Sequence, residues 1–451
     1  MKKILLYIAT LMATVTFSSE VSALPLFARQ AGMVCSGCHF QHFPMLNGFG
    51  RAFKSAGFTM MGAAQGKVEG ESLAIPNTLN MAVQATAGYE KTNQSAGTGP
   101  QKTTGDGVFY VPGTGGELAL FVGGRVSENT GFLAEIGTGG SVSGTTISNA
   151  HSSAKLPMLF DASISQFKAT EGALAGFIPF STDDHGASYG FELLNSGANV
   201  VQQMSPVPGL NGAHSAALSA QQYIGTDGAA TGVALIANSP IFFINLTKYD
   251  QTGIADGTLA VLGSTYVRVA GMFELAGWDA GAGIQVWGGN SAAYTAGTYA
   301  YTDTKARAID GQLQGMIGAT PVGFYASYAT APAGTNSYNM DPAAAVPGSA
   351  VTVAYGTLTK SAFNISAEVG VVPDKVTLGA GVRYGKSGVA AAGSPSSNTT
   401  DNAITLIATY KPVQNIMATF SLTNASGGYW DTAHQNALGS GTTTINLTAL
   451  F

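Results

Sequence analysis

The feature that most constrains this chain is the alternation in its closing stretch, TTTINLTALF. Ile445, Leu447, Ala449 and Phe451 fall on one face of an extended strand, and Thr444, Asn446 and Thr448 on the other. Successive side chains of a strand point to opposite sides. One apolar face and one polar face suit a wall between lipid and a wet or plugged interior.

The same texture runs through residues 77–451. ELALFVGGRV turns at SENTG and returns as FLAEIG, and MLFDASISQFKA turns at TEG and returns as ALAGFIPF. GVALIAN turns at Ser239-Pro240 and returns as IFFINLTKY. SAFNISAEVGV turns at VPDK, and AITLIATYK turns at PVQN, each followed by a further alternating run. These are antiparallel hairpins. The joins between them, such as NSYNMDPAAAVPGS and ASGGYWDTAHQNALGSG, are longer and polar. Short turns at one end and long loops at the other are the asymmetry of an outer-membrane barrel, which a soluble all-β sandwich has no reason to show. A phenylalanine ending the last apolar face resembles the C-terminal signature of such barrels.

Composition agrees. Charged residues make up only 10%, glycine contributes 60 of 451 residues, and mean hydropathy is +0.19. No apolar run beyond the leader reaches the roughly 18 residues of a spanning helix. Roughly 375 residues at about 23 per strand and connection predict about 16 strands, a lumen large enough to be wet or plugged. The fold class expected is therefore an all-β, antiparallel transmembrane barrel with a small helical head. Phe132, Tyr249, Tyr384, Tyr410 and Phe420 stand near strand ends as candidates for an interfacial girdle. Residues 188–230 and 291–305 show no clear period.

Residues 1–23 read as a secretory signal peptide: Lys2 and Lys3, an apolar run from Ile4 to Phe17, then Val21-Ser22-Ala23 before a cleavage point. The net charge of −5 gives no reason to expect nucleic acid as a partner.

Residues 24–76 form the head, and MVCSGCHFQHF within it holds the two cysteines of the sequence. A Cys35–Cys38 disulfide would close a very small loop and stabilise little. The histidine directly after the second cysteine points instead to covalent haem of the c type. Cys35 and Cys38 would form the thioether links and His39 would be the proximal iron ligand. So short a segment cannot build a core alone and calls for a cofactor or a docking partner. Phe40, Phe43, Phe49, Phe53 and Phe58 are suited to cover a haem, on a helix expected to begin at Pro44 and stop before Gly57. Arg51 and Lys54 are candidates to pair with haem propionates or with carboxylates on the barrel wall. Met60, Met61 and His42 are the candidates for sixth ligand.

The run LPLFARQAGMVCSGCHFQHFPMLNGFGRAFKSAGFTM resembles the N-terminal cytochrome of the bacterial fused monohaem cytochrome–porins, an outer-membrane family that includes Fe(II) oxidases. Phe27-Ala28-Arg29-Gln30-Ala31-Gly32, Phe43-Pro44, Phe49-Gly50-Arg51 and Phe53-Lys54 carry the match, with Ala31 where threonine is usual and Phe58 where tyrosine is common. The match covers about 40 residues; beyond them only the barrel architecture is shared. The resemblance implies a haem domain plugging a porin in the outer membrane of a Gram-negative bacterium. Electrons from extracellular Fe(II) would pass through one haem to a periplasmic c-type cytochrome. The alternatives are a conduit running outward to extracellular acceptors, and a diffusion porin with a haem-bearing plug. Asp183, Asp184 and His185 in STDDHG offer hard ligands suited to iron, as a solvated loop also would. Glu128, Glu135 and Glu192 are candidates to line the lumen.

Overall fold

The computed structural model describes residues 25–63, 65–70, 73–93, 107–138, 142–143, 146–147, 150–162, 172–197, 202, 215–251, 261–295, 298–340, 355–391, 393–430 and 440–451. The expected signal peptide, His214 and His434 lie outside the described residues.

Among these residues, sixteen wall strands close into one antiparallel barrel. In chain order they are β1 (Met81–Thr92), β2 (Leu118–Arg125), β3 (Gly131–Thr138), β4 (Ala150–Lys155 and, after a break, Met158–Asp161) and β5 (Leu174–Thr182). Then come β6 (Ala230–Ser239), β7 (Phe242–Asp250), β8 (Ser264–Leu275), β9 (Trp278–Thr295), β10 (Ala306–Ile317) and β11 (Thr320–Ala331). The wall ends with β12 (Lys360–Val372), β13 (Val376–Ala391), β14 (Asn402–Val413), β15 (Ile416–Ser426) and β16 (Gly441–Leu450). Neighbours in sequence are neighbours in the wall, and β16 seals it by pairing with β1 from Thr442↔Thr92 to Leu450↔Gln84. The break in β4 falls at Leu156-Pro157, where the ring nitrogen has no hydrogen to give the ladder.

Four of the five hairpins read from sequence hold; the strand expected over MLFDASISQFKA instead pairs Met158 with Phe177 and ends at Asp161, and residues 163–171 lie outside the described residues. In β16, Ile445 and Leu447 face outward while Thr444, Asn446 and Thr448 are buried inside. β7 repeats the pattern, with Ile244 and Leu246 outside and Asn245 and Thr247 inside. A closed cylinder with an apolar outer surface and no free sheet edge satisfies every backbone group within lipid. No described helix is long and apolar enough to cross a membrane; this chain crosses with strands.

The girdle reading needs one correction. Tyr384 is 63% exposed on the outer face, but Tyr249 is fully buried inside the barrel. Its register turns it to the lumen, where its hydroxyl meets that of Tyr338 at 2.7 Å.

Turns at 240–241, 276–277, 318–319, 373–375 and 414–415 all lie at one end, together with Met81 and Phe451. The other end carries the long connections. One of them, between Thr182 and Ala230, accounts for most of the region without a readable period. Its described parts fold into the lumen, burying Tyr189, Phe191, Leu193, Leu194 and a short helix, α4 (Ala220–Tyr223). Such a segment is enclosed from all sides, so neither a helical nor a strand period is imposed on it. Lumen-facing side chains fasten it: Asn195 N donates to Gln312 Oε1 at 2.7 Å, Asn245 Nδ2 to Phe191 O at 3.0 Å, and Ala220 N to Ser327 Oγ at 2.7 Å. Arg268, Glu192 and Asp310 form a buried charge cluster beside it.

Candidate functional site

The head comprises three helices, α1 (Pro25–Ala31), α2 (Cys35–Cys38) and α3 (Gly48–Ser55), followed by a hairpin of Lys67–Gly70 and Leu73–Pro76. α3 starts four residues later than Pro44 suggested. Asn47 is the reason: its Oδ1 accepts from Gly50 N at 2.9 Å, a side-chain cap that fixes the first turn. The same amide donates from Nδ2 to Ser36 O at 3.0 Å and Gly37 O at 3.1 Å, so one side chain joins the helix start to the Cys-x-x-Cys turn. Gly50 then has to be glycine, because a Cβ there would lie 2.0 Å from Cys38 O. Gly57, with φ +68°, follows the helix as expected.

The head docks at the short-turn end of the barrel. Cys35 Sγ lies 3.5 Å from Gln414 O in the turn between β14 and β15. Arg51 pairs with Asp279 near the start of β9, and Ser55 O accepts from Asn238 Nδ2 near the end of β6. Phe27, Phe53 and Phe58 pack on one another and on Ala82, Ala119 and Phe121 of β1 and β2. The head also meets the inward loop, where Leu46 and Asn195 exchange hydrogen bonds at 2.8 and 2.9 Å. In outer-membrane barrels the short turns face the periplasm, so the head sits at the periplasmic mouth.

Cys35 and Cys38 are buried and form no disulfide, and burial pushes the Cys38 thiol up to about 11. His39 Nδ1 is 3.0 Å from Met45 O. A carbonyl accepts only, so that nitrogen carries the hydrogen and Nε2 keeps the lone pair a metal needs. Burial, with a smaller contribution from Lys411, pulls the imidazole down to about 4, so it is neutral at physiological pH.

A narrow cleft opens between this segment and the wall. Cys35, His39 and Phe43 line one side; Lys411, Gln414, Asn415, Met417, Thr448 and Leu450, from the ends of β14 to β16, line the other. The Cys35 thiol and the neutral His39 imidazole in the cleft, with Cys38 buried at the other end of the same helical turn, are donor types chemically suited to a c-type haem. Arg51 does not line this cleft; it pairs with Asp279, a carboxylate of the barrel wall.

The other sequence candidates are distributed as follows. Lys54 Nζ donates to Gln202 Oε1 at 2.9 Å rather than lining the cleft. His42 has both nitrogens engaged, Nδ1 with Phe43 O at 2.9 Å and Nε2 with Glu368 Oε2 at 2.8 Å, so neither is turned to an iron. Met60 is 38% exposed and Met61 half-buried; neither lines the cleft. Of the five phenylalanines expected to cover a haem, Phe43 alone lines it. Phe53 and Phe58 seat the head on the wall, Phe40 packs on Met45 and Tyr325, and Phe49 is exposed.

At the opposite mouth, His185 is ion-paired with Asp184 and lies 3.8 Å from Glu135. Among the described residues no group of three His, Cys, Asp or Glu is placed to hold a metal ion, so STDDHG is not assembled as an iron centre. Glu135 and Glu192 are buried inside the barrel, whereas Glu128 stands exposed in a short turn beside Arg125. Sequence reasoning missed Asn47, Lys411, Met417 and Glu368. For Lys411 and Met417 a signal existed: each interrupts a lumen-facing row of small polar residues beside a short turn.

No protein-family model matches the chain, and no curated protein matches it. Among solved structures, the chain is similar to Salmonella typhi OmpF in complex with daunomycin (11% identity, 86% of this chain and 100% of that one, TM-score 0.45). It is also similar to the anion-selective porin of Comamonas acidovorans (11%, 83% and 99%, TM-score 0.44) and to the outer-membrane channel DcaP of Acinetobacter baumannii (11%, 83% and 97%, TM-score 0.43). Each score lies below 0.5, so the assignment rests on the wall itself: closed, antiparallel, apolar outside and asymmetric in its connections. The chain is a sixteen-stranded β-barrel of the Gram-negative outer membrane, with a folded head in its periplasmic mouth.

Proposed function

We propose that this barrel is an electron conduit in which Cys35, Cys38 and His39 hold one covalent haem at the periplasmic mouth, carrying electrons from extracellular Fe(II) toward a periplasmic c-type cytochrome. The observation that carries the reading is the cleft that brings Cys35 and His39 together against the wall, with Nδ1 of His39 committed to a carbonyl. When bound, a c-type haem supplies a one-electron couple. The chain's own residues do the rest. The cysteine pair tethers; His39 presents Nε2; Phe43, Met417 and Leu450 exclude water; Lys411 offers its amine to acidic groups. The hydrocarbon core is about 30 Å thick, and the protein-filled lumen replaces lipid along that path. Delivery at the periplasmic side is favoured by the head's place among the short turns.

A second reading, a porin with a redox-active plug, draws on the same docking contacts, because the head and inward loop fill the lumen.

Anaerobic titration of purified protein with Fe(II), following the haem bands, tests the first reading. Reduction in the wild type, and loss of both haem and Fe(II)-dependent reduction of a periplasmic cytochrome in Cys35→Ser/Cys38→Ser, is the expected result. A variant without haem that keeps the full electron flux overturns it. Solute conductance through the intact protein in planar bilayers, without Fe(II) oxidation, establishes the second.

A further inference from the structure

We infer that Met417, a residue of the barrel wall, is the sixth ligand of the haem iron, so that head and wall share one metal centre; this rests on the reading proposed above.

Among the described residues lining the cleft opposite His39, the side chains able to ligate iron are the thioether of Met417 and the amine of Lys411. The candidates near the Cys-x-x-Cys-His motif are engaged or turned elsewhere: His42 by Phe43 and Glu368, Met45 by burial against Tyr325 and Ile407, Met60 by exposure.

Met417 is also anomalous where it stands. β15 presents Met417, Thr419 and Thr423 to the lumen, and β14 presents Thr405, Ile407, Thr409 and Lys411. Threonine predominates in these two rows and Ile407 is an apolar exception within β14, whereas the position at the head end of β15 carries a large, soft, polarisable side chain. Register places it directly opposite Thr448, another cleft residue, and leaves it buried. A thioether is a neutral, soft ligand that binds iron without needing to lose a proton, and it raises the potential relative to a second histidine. Lys411 offers a harder nitrogen donor, better suited to an acidic edge of the macrocycle than to a soft metal site. The pair thus divides the work, with sulfur toward the metal and nitrogen toward acidic groups.

The test uses full-length protein purified from membranes. Wild type, Met417→Leu, Met417→Ala, Met417→His, Met60→Ala, Met61→Ala and Lys411→Gln are compared. Haem content is read from the alkaline pyridine spectrum and barrel integrity from heat-modifiable gel mobility. Ligation is read from the sulfur-to-ferric-iron charge-transfer band and the upfield methionine methyl resonance of the reduced form. The expected result is that both sulfur signatures are present in wild type and vanish in Met417→Leu and Met417→Ala, with covalent haem unchanged. Those variants gain binding of carbon monoxide, and Met417→His stays low-spin with a lowered midpoint potential. Met60→Ala, Met61→Ala and Lys411→Gln keep the signatures. Met417→Leu preserves packing volume if the alanine variant does not fold. Sulfur signatures that persist without Met417, that vanish with Met60, Met61 or Lys411, or that are missing from a haem-loaded wild type overturn the assignment while the conduit reading stands. A wild type free of covalent haem overturns both.

Discussion

On the outside of β16, Ile445 and Leu447 face lipid and need only be apolar. On the inside of β8, Arg268 is held by Glu192 and Asp310, three groups that arrive from separate parts of the chain and leave water entirely. The outer face is degenerate: many residues would serve at each position, and a single period describes them all. The inner face is particular, because side chains such as Arg268, Asn245 and Gln312 have named partners tens or hundreds of residues away. Substitutions should therefore cost according to the side of the wall they strike.

The largest effect is expected inside. Arg268→Met leaves Glu192 and Asp310 buried together without their cation, and breaking a buried pair costs about 3–5 kcal/mol. Amide exchange across 183–197 should accelerate strongly while the strands stay protected; unchanged protection would show that the cluster does not hold the inward loop. Leu447→Arg attacks the other face and should cost about 2–4 kcal/mol if it lies near the bilayer midplane. Denaturant titration in lipid vesicles measures it, with Leu447→Ile as the apolar control expected to be nearly silent.

Asn47→Ala removes the cap of α3 and its bonds to the cysteine turn, a loss of about 1 kcal/mol for the cap alone. Reduced haem loading with an intact wall is the expected phenotype, read as the ratio of haem absorbance to protein.

The smallest effect concerns His185. Burial pulls its imidazole down, but Asp184 and then Glu135 outweigh that and hold it up at about 10. A raised value means the charged tie is complete below the ordinary 6.5 and is lost as pH rises through about 10. Proteolytic nicking near 183–186 should rise over that window in wild type, and His185→Gln should flatten the dependence.

The same division decides what could be read in advance. Strand count, hairpin register and the outer face were legible because alternation reports the environment on each side of a strand. Tyr249 was placed on the lipid side because tyrosine suits an interface and the lumen equally well. The inward loop was illegible for a related reason: Phe191, Leu193 and Leu194 are surrounded completely and carry no period. At the candidate site, Cys35, Cys38 and His39 were visible as a local motif, whereas Glu368, Lys411 and Met417 meet the head across more than 300 positions of sequence.

The cleft joins a motif from the first tenth of the chain to three strands from the last. A nascent polypeptide owns the tether long before it owns the opposite rim, so the pocket exists only once the cylinder has sealed. On the haem reading proposed above, a mature spectrum would act as a certificate of finished assembly: partly built molecules would carry the pigment without its final coordination, and a spectrometer would tell them from completed ones without separating the two.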